Sequence, residues 1–528
     1  MRSEGYLRDE ILRCAWDDNN LFLCHPINLG IRMTLTDPFA LQVLKMAEQD
    51  THGWKMMIGG QWVESRSGKR TTTLNPAYDE PLADVPDGNA EDIDAAVEAG
   101  KAAFPRWRAM HVDERAKHCK AFANAVRSMA REFGMLDAID SGNAFLPMID
   151  DARKGASLHD FFGGLGMEMK GETIPTPGGG LDYTRPEPYG VVARIIPFNH
   201  PISFAAGKIA PGLIAGNTVI LKPAEQTPLS ALLMGKLIQE HFPPGVVNIV
   251  TGDGPNCGAP LTRHKDVRRI AFTGSVETGK AIMAAAGIKN VSLELGGKNP
   301  LIVYPDVDID KAAAAAVAGM NFTVSQGQSC GSNSRVFVHK SIHDKFMAAV
   351  LERVQKIRIG LPELEATQMG PVITRQHYDR VMAYIEAGKK EGAQIFYGGG
   401  HAPGEHLKKG YFVDATIFAG VKHGMRIEQE EIFGPVMGVL DWDNEADMLH
   451  QVNDVEYGLC ANIWTNNIST ALKMADAIEA GYVWINGHGG KRFKGAPFGG
   501  YKNSGIGREH SISELMSYTQ IKNINVAY

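Results

Sequence analysis

The sequence predicts an α/β protein built on parallel sheets with helices on both faces. Two observations carry this. From "GVVARIIPF" (190–198) onward, short β-rich apolar runs alternate with helical stretches: "NTVILKP" precedes "SALLMGKLIQEHF", and "GVVNIV", "RRIAF" and "NVSLEL" follow with helical segments between. A second alternating block runs from about residue 299 to 495 and contains "NPLIVYP", "SRVFVH", the helix "SIHDKFMAAVLERVQKI", "AQIFYGG", "VMGVLDW", "CANIWT" and "GYVWIN". Sheets of this kind bind ligands at the carboxyl ends of their strands.

Before the first block, residues 1–45 read as a separate N-terminal extension with no sustained period, either upstream of a true start at Met46 or a real arm. A strand-turn-strand begins at Trp54, with Gly59-Gly60 as the turn. "NAEDIDAAVEAGKAAFPRW" (89–107) is a helix: Asn89 caps it and Ile93, Val97 and Phe104 share a stripe. A second helix is expected from about Asp113 to Phe133, and "TPGGGLDYTRPEPYG" is a breaker-rich connection. "AAAAAVAGM" reads as a buried Ala-rich helix and "SYTQIKNINVAY" as a terminal strand.

Composition narrows the class. The 528 residues are 44% hydrophobic and 22% charged, ordinary for a soluble globular chain, and the net charge of −6 carries no basic footprint for nucleic acid. No apolar run approaches the roughly 18 residues of a membrane span. Six scattered cysteines form no CxxC pair, which suggests neither a zinc knuckle nor a disulfide framework and fits a reducing cytoplasm. No metal site is expected. The N-terminus has no apolar signal core, and Glu4, Asp9 and Glu10 argue against a transit peptide.

Five short stretches carry chemistry. "FTGSVETGK" (272–280) follows a strand and opens a helix, so Gly274 and Ser275 stand where a phosphate is favoured; an ordinary glycine turn reads the same way. Lys222 and Glu225 of "LKPAEQTPLSA" lie just past a strand, where a carboxylate can accept ribose hydroxyls or simply cap a turn. Glu294 of "SLELGGKNP" ends an apolar strand, where desolvation raises a carboxyl towards a useful base, unless Lys298 pairs with it. Cys330 of "TVSQGQSCGSNSR" sits among small and polar residues that make an accessible loop rather than a core. Asn199 of "IIPFNHP" either donates to an oxyanion or forms an Asx-turn before Pro201.

Taken in chain order, "PFNHP", "GNTVILKPAEQTPLSA", "PPGVVNIVTG", "FTGSVETGK", "LELGGKNP", "GQSC", "EEIFGPV", "YGLCANIWT" and "PFGGYKNSGIGRE" resemble the aldehyde dehydrogenase superfamily over about Trp54 to Tyr528. The resemblance implies a Rossmann-like dinucleotide-binding domain (46–165 and 190–296), a second α/β catalytic domain (297–503) and a small β oligomerisation element (166–189 and 504–528) that makes a homodimer or homotetramer. It implies Cys330 as the catalytic thiol, Glu294 as general base and Asn199 as oxyanion donor. For the cofactor it implies Lys222 and Glu225 at the adenine ribose, Gly274 and Ser275 at the pyrophosphate, Glu431 and Phe433 at the nicotinamide ribose, and Ile195 and Pro197 as further contacts. The implied reaction oxidises an aldehyde to its acid through a thiohemiacetal and a thioester on cysteine.

Within such a family, Glu294 points to hydrolysis rather than acylation of coenzyme A. Glu225 points to NAD over NADP, although NADP use stays open, because a 2′-phosphate would meet a carboxylate. A catalytically silent homologue would have lost the thiol, base or amide, and all three are present. Gly207, where many members carry a bulky aromatic, suggests a wider substrate tunnel for aromatic or branched aldehydes, unless Phe204 narrows it. The loop "GHGGKRFKGA", with His488, Lys491, Arg492 and Lys494, either attracts an aldehyde bearing a distal carboxylate or is a solvated basic loop.

Overall fold

The computed structural model describes residues 34–177, 179–489 and 492–527; the first 33 residues of the expected extension, and Lys491 of the basic loop, lie outside them. From Leu35 onward the chain forms one compact unit. Its first helix, Pro38–Asp50, crosses the boundary expected at 45/46. Asp37 caps it by accepting the Ala40 N–H at 2.8 Å, Pro38 stands in the first turn, and Val43, Leu44 and Ala47 are buried. Residues 35–45 are therefore part of the folded unit, and the Asp-Pro start signal was present in the sequence.

The hairpin Met56–Ile58 and Gln61–Val63 turns on Gly59 and Gly60, whose φ values of 62° and 78° only glycine adopts readily. Helix Ala90–Ala109 begins in a capping box between Asn89 and Asp92. The single helix expected near 113–133 is two, Val112–Ser128 and Ala130–Ser141, separated at Met129.

The first sheet has eight strands, five of them parallel in the order Val247–Ile249, Thr218–Lys222, Val191–Ile195, Val267–Thr273 and Asn290–Glu294. The chain builds outward from Val191–Ile195 in one direction, then returns to add Val267–Thr273 on its other side. A crevice opens where the order reverses. One edge strand is Gly505–Ile506, antiparallel to Leu293–Glu294. Residues 504–528 thus also contribute to the dinucleotide-type sheet, a departure from their expected role in the oligomerisation element alone.

The second sheet has seven strands, and all but the edge strand Gln394–Tyr397 run parallel. Leu301, Val336 and Val439 face the Ala-rich helix Ile309–Gly319 and helix His343–Val354, while Ile302, Phe337 and Leu440 face helix Arg375–Lys390. Covered on both faces, these strands read as continuous apolar runs, as parallel sheets require. A third, antiparallel sheet pairs Thr519–Val526 with Leu181–Pro188 and then Thr173–Ile174. Among the described residues no helix is long and apolar enough to cross a membrane.

One buried ion pair ties the second sheet together. Arg335 meets Glu428 at 2.9 Å with both side chains buried, and it donates to the carbonyls of Lys298, Gln451 and Val452. Removing one partner of such a pair leaves an uncompensated charge. Glu428→Ala is therefore expected to cost about 3–5 kcal/mol, read as a lowered Tm by calorimetry.

Candidate active site

Cys330 follows the short helix Phe322–Ser325 in a loop that the backbone forces into shape. Asn321 and Gln326 hold φ of 58° and 52°, costly for non-glycine residues, and Gly327 follows at 70°. Asn299 clamps this loop: its Nδ2 donates to the Cys330 carbonyl at 2.7 Å and to Ser332 at 2.9 Å, while its Oδ1 accepts the Cys460 N–H at 2.9 Å. A Cβ at Gly297 would lie 2.3 Å from the Cys330 carbonyl oxygen, so glycine is needed there. Sequence reasoning missed Asn299, although it stands inside the motif "LELGGKNP".

Cys330, Glu294 and Asn199 line one cavity of about 290 Å³ with Gly274, Ser275, Glu431 and Phe433. Asn199 enters after strand Val191–Ile195 and is held by its carbonyl, which accepts from Asn143 Nδ2 at 3.0 Å. One Nδ2 hydrogen donates to the Gln328 carbonyl at 2.8 Å, and an amide carries a second. Burial raises the Cys330 thiol above its ordinary value, and the nearby Arg492 charge opposes this.

Glu294 is 5% exposed, and its Oε2 has no partner. Burial, reinforced by the Glu509 charge, raises its carboxyl well above the usual range. The expected alternative, a pair with Lys298, does not form: Lys298 Nζ is itself without a hydrogen-bond partner. A carboxylate from the last of the family motifs stands behind Glu294 instead. Glu509 of "GIGRE" meets Lys208 Nζ at 2.8 Å and Arg194 at 2.5 Å, and Lys208 also donates to Thr273 Oγ1 at 2.8 Å. Burial disfavours the Glu509 charge, yet the two cations hold its carboxyl well below the usual range. The site thus contains two buried carboxyls pushed in opposite directions, the pattern that separates a proton acceptor from a fixed charge.

A second cavity of about 700 Å³ opens at the switch point of the first sheet, lined by Ile195, Pro197, Lys222, Glu225, Gly274 and Ser275. Lys222 is buried, donates to the Pro223 carbonyl at 3.0 Å and lies 3.9 Å from the half-exposed Glu225. Its ammonium has three donors, so capacity remains for hydroxyl groups. Ser275 caps helix Val276–Ala286, accepting the Thr278 N–H at 3.2 Å, and the Gly274 N–H is spent on the Glu294 carbonyl at 3.0 Å. The N–H groups of Val276 and Glu277, in the helix's first turn, have no intrahelical partner and are the donors left for an anion.

The two cavities share Pro197, Phe198, Gly274 and Ser275. Glu431 accepts the Gly297 N–H at 2.9 Å, while burial raises its carboxyl to about 7. A Cβ at Gly296 would lie 2.2 Å from its Oε2, so that glycine makes room for the carboxylate. Phe433 holds a φ of 59° and turns its ring edge-to-face with Phe198 at 5.9 Å. His377 fixes it by a 2.7 Å hydrogen bond to its carbonyl, and burial lowers His377 to about 4, which keeps it a neutral donor. Phe198 and His377 escaped the sequence reading.

Gly207 itself opens no space for a substrate. A Cβ on Gly207 would lie 2.7 Å from Leu158 and 3.1 Å from Gly155, so helix Phe145–Leu165 fills that space. The described part of the basic loop packs beside the Cys330 loop: a Cβ on Gly331 would lie 3.1 Å from Arg492 Nη2, Arg492 lies 3.6 Å over the Phe498 ring, and Lys494 donates to the Ser157 carbonyl at 3.2 Å.

The aldehyde dehydrogenase family model matches residues 62–524. The chain is 44% identical over 480 residues to the aldehyde dehydrogenase tropH of Talaromyces stipitatus, covering 89% of this chain and 93% of that one. It is 42% identical over 480 residues to aldehyde dehydrogenase 1A1 of Gallus gallus, with the same coverages of 89% and 93%. The NAD+ complex of the aldehyde dehydrogenase from Bacillus cereus superposes with a TM-score of 0.88 at 40% identity, over 93% of this chain and 99% of that one. Betaine aldehyde dehydrogenase from Staphylococcus aureus in complex with NAD+ gives 0.88 at 35%, over 92% and 97%. With its two parallel sheets, its switch-point cavity and this extent of likeness, the chain belongs to the aldehyde dehydrogenase family.

Proposed function

We propose that the protein oxidises an aldehyde to the carboxylic acid with NAD, using Cys330 as nucleophile, Glu294 as general base and Asn199 as oxyanion donor. The observation that carries this is their convergence on one cavity, joined to the switch-point cavity at Phe198. The cofactor fits the second cavity: Lys222 and Glu225 take its adenine ribose, the N-terminus of Val276–Ala286 its pyrophosphate, and Glu431 its nicotinamide ribose beside Phe433. Bound there, NAD supplies the hydride acceptor and a cationic ring that favours the Cys330 thiolate.

The thiolate adds to the aldehyde carbon, and the developing oxyanion receives hydrogen bonds from the free Asn199 Nδ2 hydrogen and the Cys330 N–H. Loss of hydride from that carbon leaves a thioester on Cys330. Glu294, desolvated and therefore more basic than an ordinary glutamate, takes a proton from water, whose oxygen attacks the thioester and releases the acid and the thiolate. NADH formation across an aldehyde panel tests this, with wild type beside Cys330→Ala. An acyl-CoA product formed in the presence of coenzyme A would instead establish transfer to a thiol.

Glu225 disfavours a 2′-phosphate by Coulomb repulsion, moderated because the side chain is half in solvent. Glu225→Ser should raise kcat/KM with NADP relative to NAD by about ten-fold, or ~1.4 kcal/mol. An unchanged ratio would remove Glu225 from cofactor choice.

The proposal includes a homodimer or a dimer of dimers. Strand Thr519–Val526 leaves one edge open and Ile521 is 60% exposed, an edge that natural sheets cover. Light scattering that gave a monomer mass would overturn it. Because Cys330 must stay a free thiol to work, a reducing compartment such as the cytoplasm completes the proposal.

A further inference from the structure

Among the described residues, one group of three metal-ligating side chains converges: His423, His450 and Asp454, whose ligand atoms all lie within 4.8 Å of one another. Asp454 follows helix Glu445–Asn453 and His450 stands one turn earlier on it, so the two share a face. His423 arrives from the loop that precedes the short helix Arg426–Gln429. Its Nε2 lies 3.0 Å from Asp454 Oδ2, and its ring stands edge-on to the His450 ring at 6.1 Å. A tetrahedral zinc ion with bonds near 2.0 Å holds its ligand atoms about 3.3 Å apart, so this spacing needs little adjustment. His423 and Asp454 are 31 positions apart, and the local spacings that argued against a metal site could not announce them.

The cluster has the support that a ligand set needs. A metal-bound imidazole turns its other ring nitrogen to a carboxylate or carbonyl, which fixes the tautomer. His423 Nδ1 lies 3.5 Å from Glu428 Oε2. Glu428 is buried and held at both oxygens: Arg335 donates to Oε1 at 2.9 Å, while Gln429 Nε2 and the Gly424 N–H donate to Oε2 at 2.6 and 3.2 Å. Gln429 Nε2 also donates to the Asp454 carbonyl at 3.0 Å, so one amide braces both sides of the cluster. Arg426 beside this loop is paired with Glu430 at 2.8 Å. The three ligand residues are exposed, so an ion reaches them from solvent, and none of them lines the Cys330 cavity or the switch-point cavity.

We propose that His423, His450 and Asp454 bind one divalent transition-metal ion of the zinc kind, apart from the catalytic cavity, with water in the fourth position. Two imidazoles and one carboxylate suit zinc, cobalt, nickel or copper rather than magnesium or calcium, which take oxygen shells. The ion replaces the proton between His423 Nε2 and Asp454 Oδ2. Nε2 gives its lone pair to the metal, Nδ1 keeps its hydrogen toward Glu428, and the displaced proton goes to water. Bound there, the ion staples the loop before Arg426–Gln429 to the end of helix Glu445–Asn453. That helix end supplies the Gln451 and Val452 carbonyls to Arg335, so the staple closes over the buried Arg335–Glu428 pair.

The test titrates the full chain with zinc chloride by calorimetry, after treatment with EDTA and its removal. The parent carries Cys330→Ala, so that the reactive thiol takes no metal. It should bind one Zn2+ per chain. His450→Ala and Asp454→Asn should each weaken that binding by at least about ten-fold, since even a lost outer-shell partner costs that much. Co2+ in place of zinc should give visible d–d bands without a thiolate charge-transfer band. Should a variant melt below the parent in the absence of metal, the parent alone decides: Zn2+ should protect His423 and His450 together from diethyl pyrocarbonate, mapped by mass spectrometry. Equal zinc affinity in the parent and both variants, a cobalt spectrum of thiolate ligation, no saturable binding, or unprotected histidines would each overturn the proposal.

Discussion

Cys330→Ala is expected to abolish NADH formation, a loss of about 10⁴-fold or more, because a residue acting covalently has no substitute in the site. Among the described residues the cavity around it holds no second thiol: Cys460 is buried in the core cluster of Leu459, Trp484 and Phe498, and burial pushes its thiol far above the ordinary range. The variant should fold, since Cys330 is partly exposed and its loop is held through its carbonyl by Asn299 rather than through its sulfur. Retained NAD binding, read by quenching of protein fluorescence, separates lost chemistry from lost structure. Retained turnover would remove Cys330 from the mechanism.

Glu294→Gln should divide the reaction. Thiol addition and hydride loss do not consume the base's proton affinity, but thioester hydrolysis does. The variant is expected to release about one NADH per active site in a burst, then to turn over about 10²- to 10⁴-fold more slowly than wild type. Mass spectrometry should find the acyl group on Cys330. The pH dependence follows from the direction of the Glu294 shift. The base works only when ionised, and its carboxyl is raised by burial and by Glu509. Wild-type hydrolysis should therefore climb with pH through a range above that of an ordinary glutamate, and Glu294→Gln should lose that climb. Stability runs the opposite way. A raised folded-state value means that the folded protein binds the Glu294 proton more tightly than the unfolded chain does. That contribution is present at low pH and fades as pH rises through the raised value. A burst without any slowing of the steady state would exclude Glu294 as the base.

The sequence carried the local features of this molecule and missed the distant ones. Val191–Ile195 and Thr218–Lys222 are legible because buried parallel strands are apolar throughout, and Asn89 announces its helix through a capping box. Cys330, Glu294 and Asn199 stand out because small or strand-ending neighbours surround them. Lys208 with Glu509, and Arg335 with Glu428, join residues 301 and 93 positions apart, and no local period encodes such a pair. Gly207 misled for a related reason. The space a glycine leaves is decided by what packs over it, here Leu158 and Gly155. Ser275 lies where the motif places it, but its hydroxyl serves the helix cap, so the anion contact passes to the backbone behind it.

The pairing of Gly505–Ile506 with Leu293–Glu294 also dictates a timetable. A ribosome releases the strand that bears Glu294 more than two hundred residues before its outer neighbour, and Glu509 follows still later. Until then the Lys208 ammonium and Arg194 guanidinium lack their shared carboxylate, and the edge beside Glu294 stays unpaired. A nascent chain can collapse both parallel sheets while its base is still half-built. Competence for turnover is therefore switched on late in synthesis, after the reactive thiol has been enclosed by folded protein.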